Sequence, residues 1–139
     1  MTSLKILKEI QVVNFMDSRG KLDVAEFENI GKFETKRIYY ISNVPAEGAR
    51  GAHAHKSLNQ IFFALVGKFT LTVTNGLITE TVELNAHDMG FFLPAGYWRE
   101  LRSFTSDAIC LVLASKYYEE SDYIRSYGDY LEWQKSEQN

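Results

Sequence analysis

Apolar and polar residues alternate in short runs along most of this chain, and turn-forming residues separate the runs. Alternation with a period of two is typical of β-strands that bury one face. Asn75-Gly76, between two such runs, is a strong hairpin signal. The pattern predicts an all-β fold whose strands cover residues 6–15, 21–27, 36–42, 59–66, 68–74, 77–84, 88–93, 98–104 and 108–115.

The pattern changes near the C-terminus. Ser121 is a suitable helix cap, and the residues after it have apolar side chains at helical spacing. We therefore expect one short C-terminal helix that packs against an antiparallel barrel. With no linker or composition break, residues 1–139 are expected to form a single domain. The sequence leaves open whether this domain is a free enzyme or part of a longer bifunctional protein.

Composition narrows the function classes. The net charge of −3 argues against a nucleic-acid-binding protein, and no apolar run is long enough to span a membrane. The single cysteine, Cys110, lies in an apolar run and cannot form an internal disulfide. A reducing, cytoplasmic compartment is therefore expected. Aromatic residues reach 14%, which suits either a β-sheet core or a site that binds sugar rings.

The most informative segment contains His53 and His55, which are separated by one residue. On a strand, such a pair projects both imidazoles to the same face, because side chains alternate between the two faces. In a barrel that face can be the interior, where the two rings would share one cavity. Imidazole takes up and returns protons near neutral pH, so the pair favours proton-transfer chemistry.

This segment resembles the first metal-binding motif of the cupin superfamily, and residues 90–99 resemble the second. Two of the expected metal ligands are replaced. Gln60 stands where the cupin motif has Glu, and Arg99 stands where it has the last His. An amide is a poor ligand for a divalent cation, and a guanidinium repels one. We therefore expect a cupin-type jelly roll that has kept its cavity and has no metal or other cofactor.

Several segments, in one order over nearly the whole chain, resemble the sugar-nucleotide 3,4-ketoisomerases of the cupin superfamily. They are Asp17-Ser18-Arg19-Gly20, residues 36–41, residues 50–56, residues 113–118 and residues 121–125. The resemblance implies an isomerase that converts dTDP-4-keto-6-deoxyglucose to its 3-keto isomer through an enediol intermediate. Such enzymes supply deoxyamino-sugar synthesis for surface polysaccharides, and homodimers are the expected assembly.

The resemblance also assigns roles to individual residues. His53 would be the base at sugar carbon C3, His55 would shuttle or supply the proton at C4, and Tyr39 would hold or polarise sugar oxygens. The remaining candidates would bind substrate: Arg19, Gln60 and Arg99 the sugar, and Arg37 and Arg50 the diphosphate. Trp98, next to Arg99, would either form a wall of the pocket or pack in the core. His87 lies in a predicted turn and is expected on the surface.

Other functions remain compatible with the residues. A sugar-nucleotide 3,5-epimerase would share the barrel, the substrate and proton removal next to a carbonyl. A metal-dependent cupin enzyme and a non-catalytic sugar-binding barrel are further alternatives. The stereochemistry at C4 of the product, gluco or galacto, is open.

Overall fold

The computed structural model describes residues 4–27 and 33–137, which form two five-stranded antiparallel sheets, a separate hairpin and a C-terminal helix. The strands are β1 (Lys8–Ile10), β2 (Val12–Asp17), β3 (Gly20–Ala25), β4 (Arg37–Ser42), β5 (Arg50–His55), β6 (Gln60–Val66), β7 (Lys68–Thr74), β8 (Thr79–Asn85), β9 (Gly90–Leu93), β10 (Trp98–Arg102), β11 (Ile109–Ala114) and β12 (Tyr123–Ile124). A 3-10 turn (Glu120–Asp122) precedes β12, and helix α1 (Tyr127–Glu137) follows it.

The first sheet has the strand order β1-β9-β6-β11-β4, and the second has the order β12-β5-β10-β7-β8. Their inner faces enclose the main core, to which Phe62 and Val112 contribute from the first sheet and Leu71 and Leu101 from the second. All four side chains are fully buried. This arrangement confirms the predicted all-β jelly roll, although its two sheets face each other without closing into one continuous barrel.

The predicted strand over residues 6–15 is divided in the structure. β1 pairs with β9 in the first sheet, whereas β2 leaves that sheet and pairs with β3. Burial explains the division, because Ile10 packs on Ile61 and Phe92 while Phe15 is 57% exposed. The β2–β3 hairpin, residues 12–25, is called the arm below. His87 contacts Asp23 of the arm and is exposed, as predicted.

The C-terminal helix begins later than its sequence pattern predicted. Residues 123–124 form β12, which pairs with β5, so this tertiary pairing overrides their helical spacing. The prediction that Ser121 caps the helix was wrong, because Ser121 lies in the 3-10 turn. Ser126 is the capping residue, and its Oγ accepts a hydrogen bond of 3.3 Å from the backbone N–H of Asp129. No helix among the described residues is long and apolar enough to cross a bilayer.

Candidate active site

β5 brings His53 and His55 to the same inner face of the second sheet, as their spacing predicted. Their Nε2 atoms lie 3.1 Å apart, and their rings are nearly perpendicular, at 89°. The exposed fraction is 9% for His53 and 4% for His55. Two imidazoles at this distance can share one hydrogen between their Nε2 atoms.

Arg99 lies beside this pair because β10 is the neighbour of β5 and places Arg99 directly opposite His53. Its Nη2 is 2.7 Å from Nε2 of His53. A guanidinium can only donate, so Nε2 of His53 accepts this bond, and the neutral ring carries its hydrogen on Nδ1. Gly51 suits this position of β5 because its φ is +69°, a left-handed conformation that glycine adopts without strain.

Tyr39 and Gln60 reach the same site from the first sheet. The Tyr39 hydroxyl accepts hydrogen bonds from Nε2 of Gln60 at 2.8 Å and from Nη2 of Arg99 at 3.3 Å. Since both partners donate, the hydroxyl hydrogen of Tyr39 is free to be given to a substrate oxygen. Gln60 is 1% exposed, and its Nε2 contacts the site through the Tyr39 hydroxyl.

Sequence reasoning assigned no role to two further residues, Asp122 and Tyr123. Oδ2 of Asp122 lies 3.2 Å from Nδ1 of His55. The Tyr123 ring packs against both imidazoles, with centroid distances of 5.0 Å to His53 and 4.4 Å to His55. Both residues follow from the pairing of β12 with β5, which places Tyr123 opposite His55. In the sequence, the only indication of these two residues was that segment 121–125 resembles the ketoisomerase family, and that resemblance assigned them no role.

The site keeps both imidazoles neutral at neutral pH. Burial is the largest cause that lowers the pKa of His53 and of His55 below the ordinary value of 6.5, and the Arg99 cation is the next. Asp122 acts in the opposite direction and raises the pKa of His55. A neutral imidazole has a free lone pair on one ring nitrogen, so both rings are in the form that can accept a proton.

A cavity of about 300 Å³ opens in front of these residues. The residues that line it include His53, Tyr39 and Arg99 together with Arg37 and Arg50. In the described part of the chain, Arg37, Arg50 and Arg99 form no ion pair with a carboxylate. Arg125 also lines this cavity but pairs with Glu120. Guanidinium groups without a carboxylate partner are suited to phosphate oxygens.

Four predicted site residues do not line this cavity: His55 and Gln60, which contact residues that do, and Trp98 and Arg19. Trp98 lies on the opposite face of β10 from Arg99, packed in a cluster with Ala54, Ile124 and Tyr130, so it has a core role rather than forming a pocket wall. Trp98 and Arg99 face opposite sides because side chains alternate along β10. Arg19 lies in the turn at the tip of the arm, 88% exposed at its side chain and paired with Asp17.

The donor set does not fit a divalent metal. Within residues 4–27 and 33–137, no group of three or more His, Cys, Asp and Glu side chains could hold a metal ion. The guanidinium of Arg99 also places a permanent positive charge 2.7 Å from Nε2 of His53. A cation bound by the histidine pair would be repelled by that charge.

Comparisons with known proteins find similarity over nearly the whole chain. The family model FdtA, described as WxcM-like, C-terminal, matches residues 5–135. A TDP-4-oxo-6-deoxy-α-D-glucose-3,4-oxoisomerase from Aneurinibacillus thermoaerophilus is 38% identical over 128 residues, which are 90% of this chain and 92% of that protein.

Two solved structures are also similar over nearly their whole lengths. One is a His-to-Asn mutant of the 3,4-ketoisomerase QdtA from Thermoanaerobacterium thermosaccharolyticum in complex with TDP-4-keto-6-deoxyglucose. Its TM-score is 0.86 at 34% identity, covering 96% of this chain and 97% of that chain. The other is the WlaRB TDP-quinovose 3,4-ketoisomerase from Campylobacter jejuni, with a TM-score of 0.82 at 36% identity, covering 93% and 99%.

Proposed function

The chain belongs to the FdtA family of WxcM-like, C-terminal domains, and from this membership we propose that it is a sugar-nucleotide 3,4-ketoisomerase. Its substrate is dTDP-4-keto-6-deoxyglucose, and its product is the 3-keto isomer used in deoxyamino-sugar synthesis. The observation that carries the proposal is the pair of neutral imidazoles 3.1 Å apart beside a buried guanidinium and a tyrosine hydroxyl.

The reaction begins with proton removal from C3. Nε2 is the only basic atom of neutral His53, because its Nδ1 carries the hydrogen. Substrate entry transfers the Arg99 hydrogen bond from this atom to a sugar oxygen, which frees the lone pair. The electrons of the C3–H bond then form the C3–C4 double bond, and the C4 carbonyl oxygen becomes an enediolate oxygen. Arg99 and the Tyr39 hydroxyl stabilise that charge.

The reaction ends with protonation of C4. The proton held between His53 and His55 is delivered to C4, with His55 as the donor. The hydroxyl proton of O3 is transferred to O4, and the C3–O bond becomes the new carbonyl. No net proton is gained or lost, so the enzyme returns to its starting state. No redox cofactor is required, because the substrate is oxidised at one carbon and reduced at its neighbour.

The substrate diphosphate is bound by Arg37 and Arg50 in this proposal. Arg50 is exposed at the start of β5, and the Arg37 guanidinium lies 5.5 Å from the Tyr39 ring and 5.7 Å from the Tyr118 ring. These contacts hold Arg37 at the cavity mouth. Gln60 acts on the sugar through Tyr39.

We also propose a homodimer in the cytoplasm. One face of the arm is apolar, since Val13, Phe15 and Leu22 are 53%, 57% and 60% exposed. An apolar face of this kind is suited to burial against a second copy. Because Arg19 does not reach the cavity of its own chain, its predicted sugar-binding role requires the arm of that second copy. The buried single cysteine, Cys110, suits a reducing compartment.

The test is to incubate the protein with dTDP-4-keto-6-deoxyglucose and to follow the carbonyl carbon by ¹³C NMR. The proposal predicts that the carbonyl signal moves from C4 to C3. A 3,5-epimerase would instead keep the carbonyl at C4 and invert C3 and C5, and a non-catalytic barrel would leave the spectrum unchanged. Either of these results would refute the proposed reaction.

A further inference from the structure

Asp122 is a buried acid whose carboxylate is fully engaged by its neighbours. Its Oδ1 accepts hydrogen bonds from the backbone N–H of Ser57 at 2.9 Å and from Oγ of Ser57 at 2.7 Å. Its Oδ2 faces Nδ1 of His55 at 3.2 Å. The backbone is held too, because the carbonyl of Asp122 accepts from the N–H of Lys56. This carboxylate therefore has one fixed position and one fixed partner among the catalytic histidines.

The position of Asp122 fixes where His55 carries its hydrogen. An ionised carboxylate can only accept, so Nδ1 of His55 must donate to it. Nε2 of the neutral ring then carries a lone pair and faces Nε2 of His53, which is also an acceptor because Arg99 donates to it. Two lone pairs thus oppose each other across 3.1 Å. One added proton replaces this repulsion with an N–H···N hydrogen bond.

From this geometry we propose that Asp122 is a positioning residue for the isomerisation. It holds His55 in the tautomer whose Nε2 can receive the C3 proton from His53, and it balances the charge of the imidazolium that results. The proposal rests on the proposed function, and it adds a residue to that mechanism. The proton passes from C3 to Nε2 of His53, then to Nε2 of His55, and returns to C4 with no net change.

The charges around the pair explain why an acid is needed there. The positive charges of Arg99 and Arg37 lower the pKa of His55, and those of Arg99 and Arg125 lower the pKa of His53. Lys116 donates a hydrogen bond to Oγ of Ser57, which in turn donates to Asp122. Among the described residues, Asp122 is the only carboxylate in hydrogen-bond contact with either imidazole. Without the Asp122 carboxylate, an imidazolium formed by the histidine pair would be surrounded by positive charges with no negative charge in contact with it.

The experiment replaces Asp122 by asparagine, which keeps the size and removes the charge. The amide can donate to Nδ1 of His55, so we expect the hydrogen of His55 to move to Nε2, where it blocks proton transfer from His53. The tautomer is read from ¹H–¹⁵N correlation spectra of the imidazole rings at neutral pH. We expect kcat to fall about 100-fold or more, with KM within about threefold.

Two controls separate positioning from folding. Asp129→Asn makes the same chemical change at an exposed acid of α1 and should leave both kcat and the tautomer unchanged. Ser57→Ala removes one hydrogen bond to the Asp122 carboxylate but keeps its charge, so it should preserve the His55 tautomer.

Two results would overturn the proposal: a folded Asp122→Asn protein with kcat within about threefold of the wild type, or a wild-type His55 that carries its hydrogen on Nε2. The second result needs no variant, so it applies even if Asp122→Asn does not fold. If the wild type does not isomerise the keto sugar but the tautomer changes as expected, the proposed function fails and the positioning of His55 by Asp122 stands.

Discussion

The interior of this fold has two ends that differ in chemistry although the same strands build both. Along the inner face of β6, Gln60 at the site is followed by Phe62 in the core. Along β10, Arg99 at the site is followed by Leu101 in the core. The boundary is sharp, since the Arg99 guanidinium lies 5.2 Å from the Phe62 ring centroid. Two residues along a strand therefore separate the polar side chains of the site from the apolar core below them.

The two ends also differ in what they contribute to stability. Burying His53, Arg99 and Asp122 costs free energy, which hydrogen bonds within the polar end only partly offset. The apolar end stabilises the fold by removing hydrocarbon surface from water. The polar end is thus expected to determine activity, and the apolar end is expected to determine stability. Matched substitutions on one strand can test that division.

The largest effect on activity among these variants is expected from Arg99→Gln. The change removes the positive charge that faces the enediolate and the hydrogen bond to Nε2 of His53. We expect kcat to fall about 10²–10³-fold, as for the loss of one oxyanion-stabilising donor. The measurement is the steady-state rate of carbonyl transfer, with circular dichroism as the check on folding. A rate within tenfold of the wild type would show that Arg99 does not stabilise the reaction.

Leu101→Ala is the matched change two residues along β10. Leu101 is fully buried in the core, so its truncation should lower the free energy of unfolding by about 2–5 kcal/mol. Urea unfolding measures this loss, and the rate per folded molecule should stay close to that of the wild type. A folded variant with a large loss of kcat would mean that the two ends are not functionally separate.

A smaller effect is expected from pH. The pKa of each site histidine is lower in the folded protein than in the unfolded chain, so the unfolded chain binds more protons below about pH 6.5. The free energy of unfolding should therefore fall by about 1 kcal/mol per histidine between about pH 7 and about pH 5.5. His53→Asn removes one of these contributions. An equally steep pH dependence in that variant would contradict the lowered pKa of His53.

The smallest expected effect is that of metal removal. Arg99 occupies the position where a cation would approach the histidine pair, so a strong chelator should leave kcat unchanged. The control is the same assay with added zinc or manganese, which should not raise the rate. A loss of activity on chelation that is restored by one metal per chain would indicate a metal enzyme.

The sequence predicted the parts of this molecule that depend on local spacing. The strand pattern, the shared face of His53 and His55, and the replacement of metal ligands at Gln60 and Arg99 all follow from short motifs. Asp122 was not found, because its contact with His55 joins positions 67 residues apart and depends on the pairing of β12 with β5. Long-range strand pairing leaves no local signal.

One prediction was wrong, and one position was left open by the sequence. The start of the helix was placed too early because residues 123–124 are suited to a helix by spacing but pair with β5 in the fold. For Trp98 the sequence left a pocket wall and core packing both open. The structure packs Trp98 in a core cluster, because adjacent residues on a strand face opposite sides. For Arg19 the sequence could not predict the distance to the cavity, because that distance depends on the course of the arm and not on the residues next to Arg19.

The central claim is that His53 removes the C3 proton, and hydrogen exchange in deuterated water tests it most directly. Wild-type protein and the His53→Asn variant are each incubated with dTDP-4-keto-6-deoxyglucose, and the C3 hydrogen is followed by ¹H NMR. We predict that the wild type loses this signal as product forms, and that the variant keeps it while still binding dTDP. Loss of the C3 hydrogen at the wild-type rate in the variant would contradict the claim.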